Sequence, residues 1–112
     1  MRKNDKKIDK QIIAALTSVC DSALKKCTGF EWLTHTVNYS RFPNSLKVHC
    51  VFDTNANLSA FMKNNQCDEL TTLIQKELFG INIDIERHRI TFDTEEKCQR
   101  DNNGNWAERI SQ

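Results

Sequence analysis

Apolar residues in the first quarter of the chain recur at helical spacing. Between Asn4 and Cys27 they fall three or four positions apart, at Ile8, Ile12, Leu16, Val19, Cys20, Ala23, Leu24 and Cys27. A stripe of this period predicts one long amphipathic helix. Gly29, just beyond the last stripe residue, is the expected stop.

The next stretch, residues 30–54, alternates apolar and polar positions. Its two arms place one set of residues on a common side: Leu33, His35, Val37 and Tyr39, then Leu46, Val48, Cys50 and Phe52. Two arms of period two, joined by turn formers around Pro43, predict a β-hairpin whose apolar face lies under the first helix. Pairing Tyr39 with Leu46 would place His35 near Cys50 in the core.

The second half returns to helical spacing. Residues 53–57 offer several N-cap side chains for a short helix that runs through Met62. Asn65 with Asp68 resembles a capping box, and it would open a further helix that ends at Gly80. Residues 81–85 then alternate in the manner of a strand, and residues 89–93 form another extended run. These two runs could be one bent strand or two.

The element order α-β-β-α-α-β, with a fourth strand left open, predicts an α+β fold. We expect a two-layer sandwich in which helices cover one face of an antiparallel or mixed sheet. Residues 1–95 would form the single domain. Residues 96–112 are polar, with Trp106 and Ile110 as their only large apolar groups, and are expected to be a loosely held tail.

Composition narrows the class of protein. The chain has 112 residues, a formal charge of +1 and five cysteines without a CxxC pair, which favours reduced thiols over a disulfide framework. The charged amino terminus leads into no signal-like apolar run, and no stretch is long enough to cross a bilayer. We therefore expect a cytoplasmic protein without membrane contact.

No motif specifies a reaction, a cofactor or a metal. Adjacent strand residues such as His49 and Cys50 would point to opposite faces, so they cannot share a ligand set. Phe-Asp-Thr occurs twice, at 52–54 and 92–94. Its aspartates could form a carboxylate pair, but a strand end followed by a helix cap is the simpler interpretation. We expect no enzyme, no cofactor and no small-molecule substrate.

A binding role has more support. The candidate nucleic-acid-binding residues are Lys3, Lys6, Lys7, Lys10, Trp32, Arg41 and Phe42. They combine a basic helix start with an outward-facing indole and a cation–aromatic pair in the hairpin loop, groups that contact phosphates and stack on bases. The alternative is a solvated helix end with a solubilising loop. RNA or a ribosomal particle is the first partner, dimerisation through an open strand edge is the second, and DNA is the third.

Two resemblances agree with these patterns in different ways. The element order, and LTTLIQKELFGINIDIERHRITFD at 70–93, resemble type II KH-like domains such as ribosome-binding factor A, which implies a KH-like fold and RNA. The Gly-x-x-Gly loop of KH domains would fall at 63–66, where this chain has Lys-Asn-Asn-Gln.

The chain also resembles a small bacterial family often labelled Fis-family transcriptional regulators. The segments that carry this resemblance are LTHTVNYSRFPNSLKVHCVFDTN, LTTLIQKEL, and DTEE with NGNWAERI. The family label implies DNA binding.

Overall fold

The computed structural model describes residues 2–111. The helices and strands are α1 (Lys3–Lys26), β1 (Phe30–Thr36), β2 (Lys47–Phe52), α2 (Asn55–Lys63), α3 (Gln66–Phe79), β3 (Ile90–Thr94), α4 (Glu95–Asn102) and α5 (Trp106–Ile110). Single 3₁₀ turns at Tyr39–Arg41 and Arg87–Arg89 lead into β2 and β3. No helix in the described range is long and apolar enough to cross a bilayer.

The strands form one mixed sheet in the order β1-β2-β3. β1 and β2 are antiparallel, whereas β2 and β3 are parallel because α2 and α3 connect them. Helices α1 and α3 pack together, with α1 against β1 and α2 against the other two strands. The predicted α+β fold class is confirmed.

The core lies between these helices and one side of the sheet, here called the first face. Val48, Cys50 and Phe52 on this face are all 0% exposed, and Ile12 and Val19 of α1 are also 0% exposed above them. The second face carries the intervening residues, which are Trp32, Thr34, Thr36, Lys47, His49, Val51, Thr91 and Asp93. Alternation along the strands thus separates an apolar side from a mostly polar one.

The predicted hairpin pairing was wrong by two residues. His35 lies opposite Val48, and Cys50 lies opposite Leu33. Hydrogen bonds between Asn38 and Ser45 end the paired part of β1 sooner than the alternating pattern predicts. Ser45 Oγ accepts from Asn38 N at 2.9 Å and donates to Asn38 O at 2.7 Å, which takes Val37 and Tyr39 out of the strand. His35 and Cys50 still share the first face because the error is an even number.

Gly29 begins the hairpin in the left-handed region, with φ of +85°. A Cβ at this position would lie 2.6 Å from both Asp53 Oδ1 and Asn57 Cβ. The turn from α1 into β1 therefore passes so close to the start of α2 that it needs glycine for space as well as for φ.

Residues 81–85 are not a strand, so β3 is the only strand that follows α3 in the described chain. Ile83 and Ile85 are each 3% exposed because they enter the core, which explains their alternation without sheet pairing. Asn82, with φ of +65°, turns the chain after α3, and Gln75 Nε2 donates to Ile85 O at 3.1 Å.

The predicted capping box of Asn65 and Asp68 at the start of α3 is also wrong. Asn65 makes no side-chain cap hydrogen bond, and Asn64 Oδ1 accepts from Gln66 N instead.

The polar tail contains most of α4 and the whole of α5. Asn103 and Gly104 have φ of +52° and +78°, which reverses the chain between them. Asn105 then caps α5 by accepting from Glu108 N at 3.0 Å. Trp106 and Arg109 of α5 contact side chains of the second face, as described below. The tail thus adds a partial cover on the side of the sheet opposite the main core.

The repeated Phe-Asp-Thr segments have the same local role, as the simpler interpretation predicts. Each ends a strand, and its threonine caps the next helix: Thr54 Oγ1 accepts from Asn57 N at 3.1 Å and Thr94 Oγ1 from Lys97 N at 2.9 Å. Thr94 Oγ1 also donates to Asn55 Oδ1 at 2.6 Å. The two helix starts are therefore joined side by side at the carboxyl ends of β2 and β3.

Candidate nucleic-acid interface

Three side chains fasten the loop between β1 and β2 to the start of α1. Asp9 Oδ1 accepts from the Tyr39 hydroxyl at 2.8 Å and lies 3.0 Å from His35 Nε2. The hydrogen bonds from His35 and Tyr39 lower the pKa of the Asp9 carboxyl. Burial, together with the carboxylate of Asp9, raises the pKa of the Tyr39 phenol, so it stays a donor. Two segments 30 residues apart are thereby held together.

The predicted lysines form one face of α1. Lys3, Lys6, Lys7 and Lys10 have the spacing i, i+3, i+4, i+7, which places them on neighbouring positions of the helix surface, and all four are exposed. Among the described residues, no carboxylate oxygen lies within 4.0 Å of these ammonium groups. Their charges are available to a partner.

The contacts of Asp9 with His35 and Tyr39 bring positive charges together at one end of the molecule. We call residues 2–10 and 37–47 the basic end. They contain seven basic and two acidic side chains, a net charge of +5, although the whole chain has only +1. The remainder therefore carries −4. A charge separation of this kind attracts and orients a polyanion even when the total charge is near zero.

Arg41 and Phe42 belong to the basic end but differ in exposure. Arg41 is exposed at the end of the 3₁₀ turn. Phe42 is half-buried, packed against the core and tilted against Tyr39 with ring centroids 5.7 Å apart. Arg41 is therefore free to contact a ligand, whereas Phe42 mainly supports the turn.

Trp32 does not join this group and is half-buried instead of outward-facing. Its ring packs edge-to-face on Trp106, with centroids 4.9 Å apart, on the second face of the sheet. Its indole N–H donates to Glu95 Oε1 at 2.6 Å, and that of Trp106 donates to Glu95 Oε2 at 3.1 Å. One carboxylate thus joins β1, α4 and α5, and Trp32 is occupied by an intramolecular contact.

An ion pair completes the attachment of α5. Arg109 Nε and Nη2 donate to the two carboxylate oxygens of Asp93 at 2.6 and 3.0 Å, and Nη1 donates to Asn102 Oδ1 at 3.0 Å. Burial of Asp93 opposes its ionisation, but the hydrogen bonds from Arg109 and Thr94 N outweigh it and lower the pKa. Val51, between Trp32 and Asp93 in register, is 0% exposed.

A histidine links all three strands on the same face. His49 Nε2 lies 3.0 Å from Thr36 Oγ1, and its Nδ1 lies 3.0 Å from Thr91 Oγ1. Burial and the nearby charge of Lys47 lower the pKa of His49, so the ring is neutral at physiological pH. A neutral ring donates from one nitrogen and accepts at the other, and the two hydroxyls complete both bonds. His49 is therefore a structural crosslink without a free nitrogen.

A cavity of about 610 Å³ lies between the second face and α5. Its lining comes from the loop, from all three strands and from α5: Thr36, Val37, Asn38, Ser45, Lys47, His49, Thr91, Asp93, Trp106, Arg109, Ile110 and Ser111. Four of these residues, at 37–47, also belong to the basic end. The cavity and the basic end are therefore continuous.

Sequence reasoning missed the residues that organise both regions. Asp9, Tyr39, Glu95 and Arg109 carry no motif, and each acts through a partner distant in sequence. One signal was present: Trp106 is a large aromatic residue in an otherwise polar tail, and such a residue needs an apolar surface. It predicts that the tail docks somewhere, though not onto which face.

The five cysteines are free thiols, two of them buried, and burial raises the pKa of Cys50. Over the described residues, no three His, Cys, Asp or Glu side chains are grouped so as to hold a metal ion. Comparison with family models, curated proteins and solved structures finds no match to the chain. The resemblances seen in the sequence stay predictions.

Proposed function

We propose that this protein is a small, non-catalytic RNA-binding module of the cytoplasm that holds the RNA backbone at its basic end. The observation that carries the proposal is the net charge of +5 on residues 2–10 and 37–47 of a chain that totals only +1. Lysine is a flexible point charge, suited to phosphates rather than to base edges. The resemblance to KH-like ribosome-binding domains favours RNA over DNA.

The charged groups are positioned as well as numerous. Asp9 holds Tyr39 and His35, so the exposed Arg41 and the lysine face of α1 keep a fixed relation to each other. Positioned cations lose less conformational freedom on binding than cations on two independent segments. A nucleic-acid backbone, with its regularly spaced phosphates, can contact several of these cations at once.

The test is the binding of a fluorescently labelled single-stranded RNA across a salt series. Replacing Lys6, Lys7 and Lys10 by alanine should weaken binding and lower the slope of log K against log salt by about 2, since each phosphate contact on a single strand contributes about 0.7. The matched control replaces Lys25, Lys26 and Lys63, three lysines outside the basic end. Equal losses in both triple variants, or no salt-dependent binding, would contradict the proposal. A stronger preference for duplex DNA would favour the third candidate, a DNA-binding regulator.

A second candidate function rests on β1, which is an edge strand with one charged residue, Glu31. Exposed edges pair with other strands unless they are protected, and Ile13 beside this strand is 49% exposed. Homodimerisation by edge pairing would give a mass of two chains in sedimentation equilibrium. Ile13→Glu, which places a charge beside the edge strand, should then weaken the dimer.

A further inference from the structure

The cavity on the second face opens toward the basic end. Val37, Asn38, Ser45 and Lys47 line it and also belong to the loop and strand start that carry Arg41. An RNA strand that follows the charges of α1 and the loop therefore passes the opening of the cavity. Lys47, which is exposed, lies at this junction.

The polar groups of the cavity present donors and no unpaired negative charge. The carboxylate of Asp93 is paired with Arg109 through two hydrogen bonds, and the His49 ring is neutral. The Lys47 ammonium lies within 4.0 Å of no carboxylate oxygen of the described chain. The side-chain carbonyl of Asn38 accepts from Ser40 N at 3.0 Å, which leaves its amide hydrogens on the rim.

The remaining lining supplies an apolar surface and enough room. Trp106, Ile110 and Val37 form walls beside the hydroxyls of Thr36 and Ser111. The volume of about 610 Å³ is within the range of small-molecule sites. A flat, partly polar group with an attached anion matches this combination. A nucleotide has that composition, and aromatic side chains commonly receive unstacked bases of single-stranded RNA.

We propose that the cavity receives one unstacked nucleotide of the bound RNA, with the base against Trp106 and its phosphate on Lys47. This inference rests on the proposed function, because the basic end delivers the strand to the cavity. It adds a requirement that backbone binding lacks: the RNA must have an unpaired base.

The first test fills the cavity without changing charge. Ser111→Trp places a large ring at its rim, and Ser59→Trp on the exposed side of α2 is the matched control. Ser111→Trp should weaken single-stranded RNA binding about tenfold, the effect of losing one stacked base, and should leave duplex RNA binding unchanged. Melting curves confirm that both variants are folded.

The outcomes separate the two proposals. If Ser111→Trp binds single strands like the control while the Lys6, Lys7 and Lys10 variant does not, RNA binding stands and the nucleotide site is wrong. If the wild-type protein binds no RNA, both proposals fail.

A titration with uridine and adenosine 5′-monophosphates gives an independent readout by ¹⁵N–¹H spectroscopy. We expect shifts at the Trp106 indole N–H and at the amides of Lys47 and His49, which Lys47→Met should reduce. No shifts, or shifts confined to α1, would overturn the nucleotide site.

Discussion

The two faces of the sheet are held by different kinds of interaction. On the first face, Val48, Cys50 and Phe52 are fully buried under three helices, and contact there is apolar and non-directional. On the second face, Thr36, His49 and Asp93 are fixed by hydrogen bonds, and within residues 2–111 only α5 and part of α4 cover them. The fold therefore depends on the first face, while the second is free to carry recognition chemistry.

Directional hydrogen bonds and one ion pair help to attach the C-terminal helices to the sheet. The indoles of Trp32 and Trp106 share one Glu95 carboxylate, and Arg109 forms a two-point contact with Asp93. Such contacts fix orientation but contribute little net free energy each, because the same groups bind water when they separate. We expect α5 to open more easily than any helix on the first face.

The largest expected effect belongs to the first face. Phe52→Ala removes a fully buried ring that packs on Phe30 and Phe61, and it should lower the free energy of unfolding by about 3–5 kcal/mol. Urea unfolding measures the change. Phe79→Ala, at a 69% exposed position, is the control and should change it by less than about 0.5 kcal/mol. Similar losses in both variants would show that the core is not where the burial pattern places it.

Breaking the ion pair of the second face should have a smaller and more local effect. Arg109→Met leaves Asp93 without its partner, which should cost about 1–3 kcal/mol. Hydrogen exchange should show the loss of protection in residues 95–111, with α1 and β2 unchanged. Arg100→Met is the control, since Arg100 forms only an exposed pair with Asp101. Equal loss of protection in β2 would mean that the two faces unfold together.

Removing the carboxylate of Asp9, which holds His35 and Tyr39 at the basic end, should have the next largest effect on stability. Asp9→Asn should lower stability by about 1 kcal/mol at neutral pH, because His35 and Tyr39 lose a charged acceptor. The folded-state pKa of Asp9 is lowered, so its stabilisation is present above the ordinary value of 3.8 and is lost as pH falls through the folded value. The wild-type protein should therefore lose stability below pH 3.8 more steeply than the variant. Parallel acid profiles would contradict the role of Asp9; Asp5→Asn is the control.

The smallest effect concerns His49. Its folded-state pKa is lowered, so below pH 6.5 the unfolded chain binds the proton more readily and stability falls. His49→Gln should remove this part of the pH dependence, measured by urea unfolding on both sides of that pH. The exposed His88 gives the control variant, and an identical effect of both substitutions would place the titration elsewhere.

Much of the fold follows from local pattern. Helix α1, the alternation of Val48, Cys50 and Phe52, and the two threonine caps are all set by neighbours in sequence. The structure confirms them, except that Leu24 of the predicted stripe is 53% exposed. Ile83 and Ile85 show the limit. Two isoleucines that enter a core at alternate positions produce the same pattern as a strand, because alternation reports burial and not pairing.

The candidate site was less predictable for a related reason. The lysines of α1 and Arg41 are visible as charges, but the contacts of Asp9 with His35 and Tyr39, which bring them to one end, are not. Trp32 has the alternation of an outward residue, and yet the tail covers it. Contacts between segments far apart in the chain have no period, so composition cannot reveal them.

The parallel pairing of β2 with β3 bears on how the chain assembles. Val48 pairs with His35 across a short loop, whereas its pairing with Ile90 closes a longer loop that contains α2 and α3. Closing the longer loop costs more entropy before any contact repays it. We expect the hairpin and α1 to form early in folding and β3 to join late. The C-terminal helices, which attach to β3, would then complete the molecule last, so the cavity would be the final part of the protein to mature.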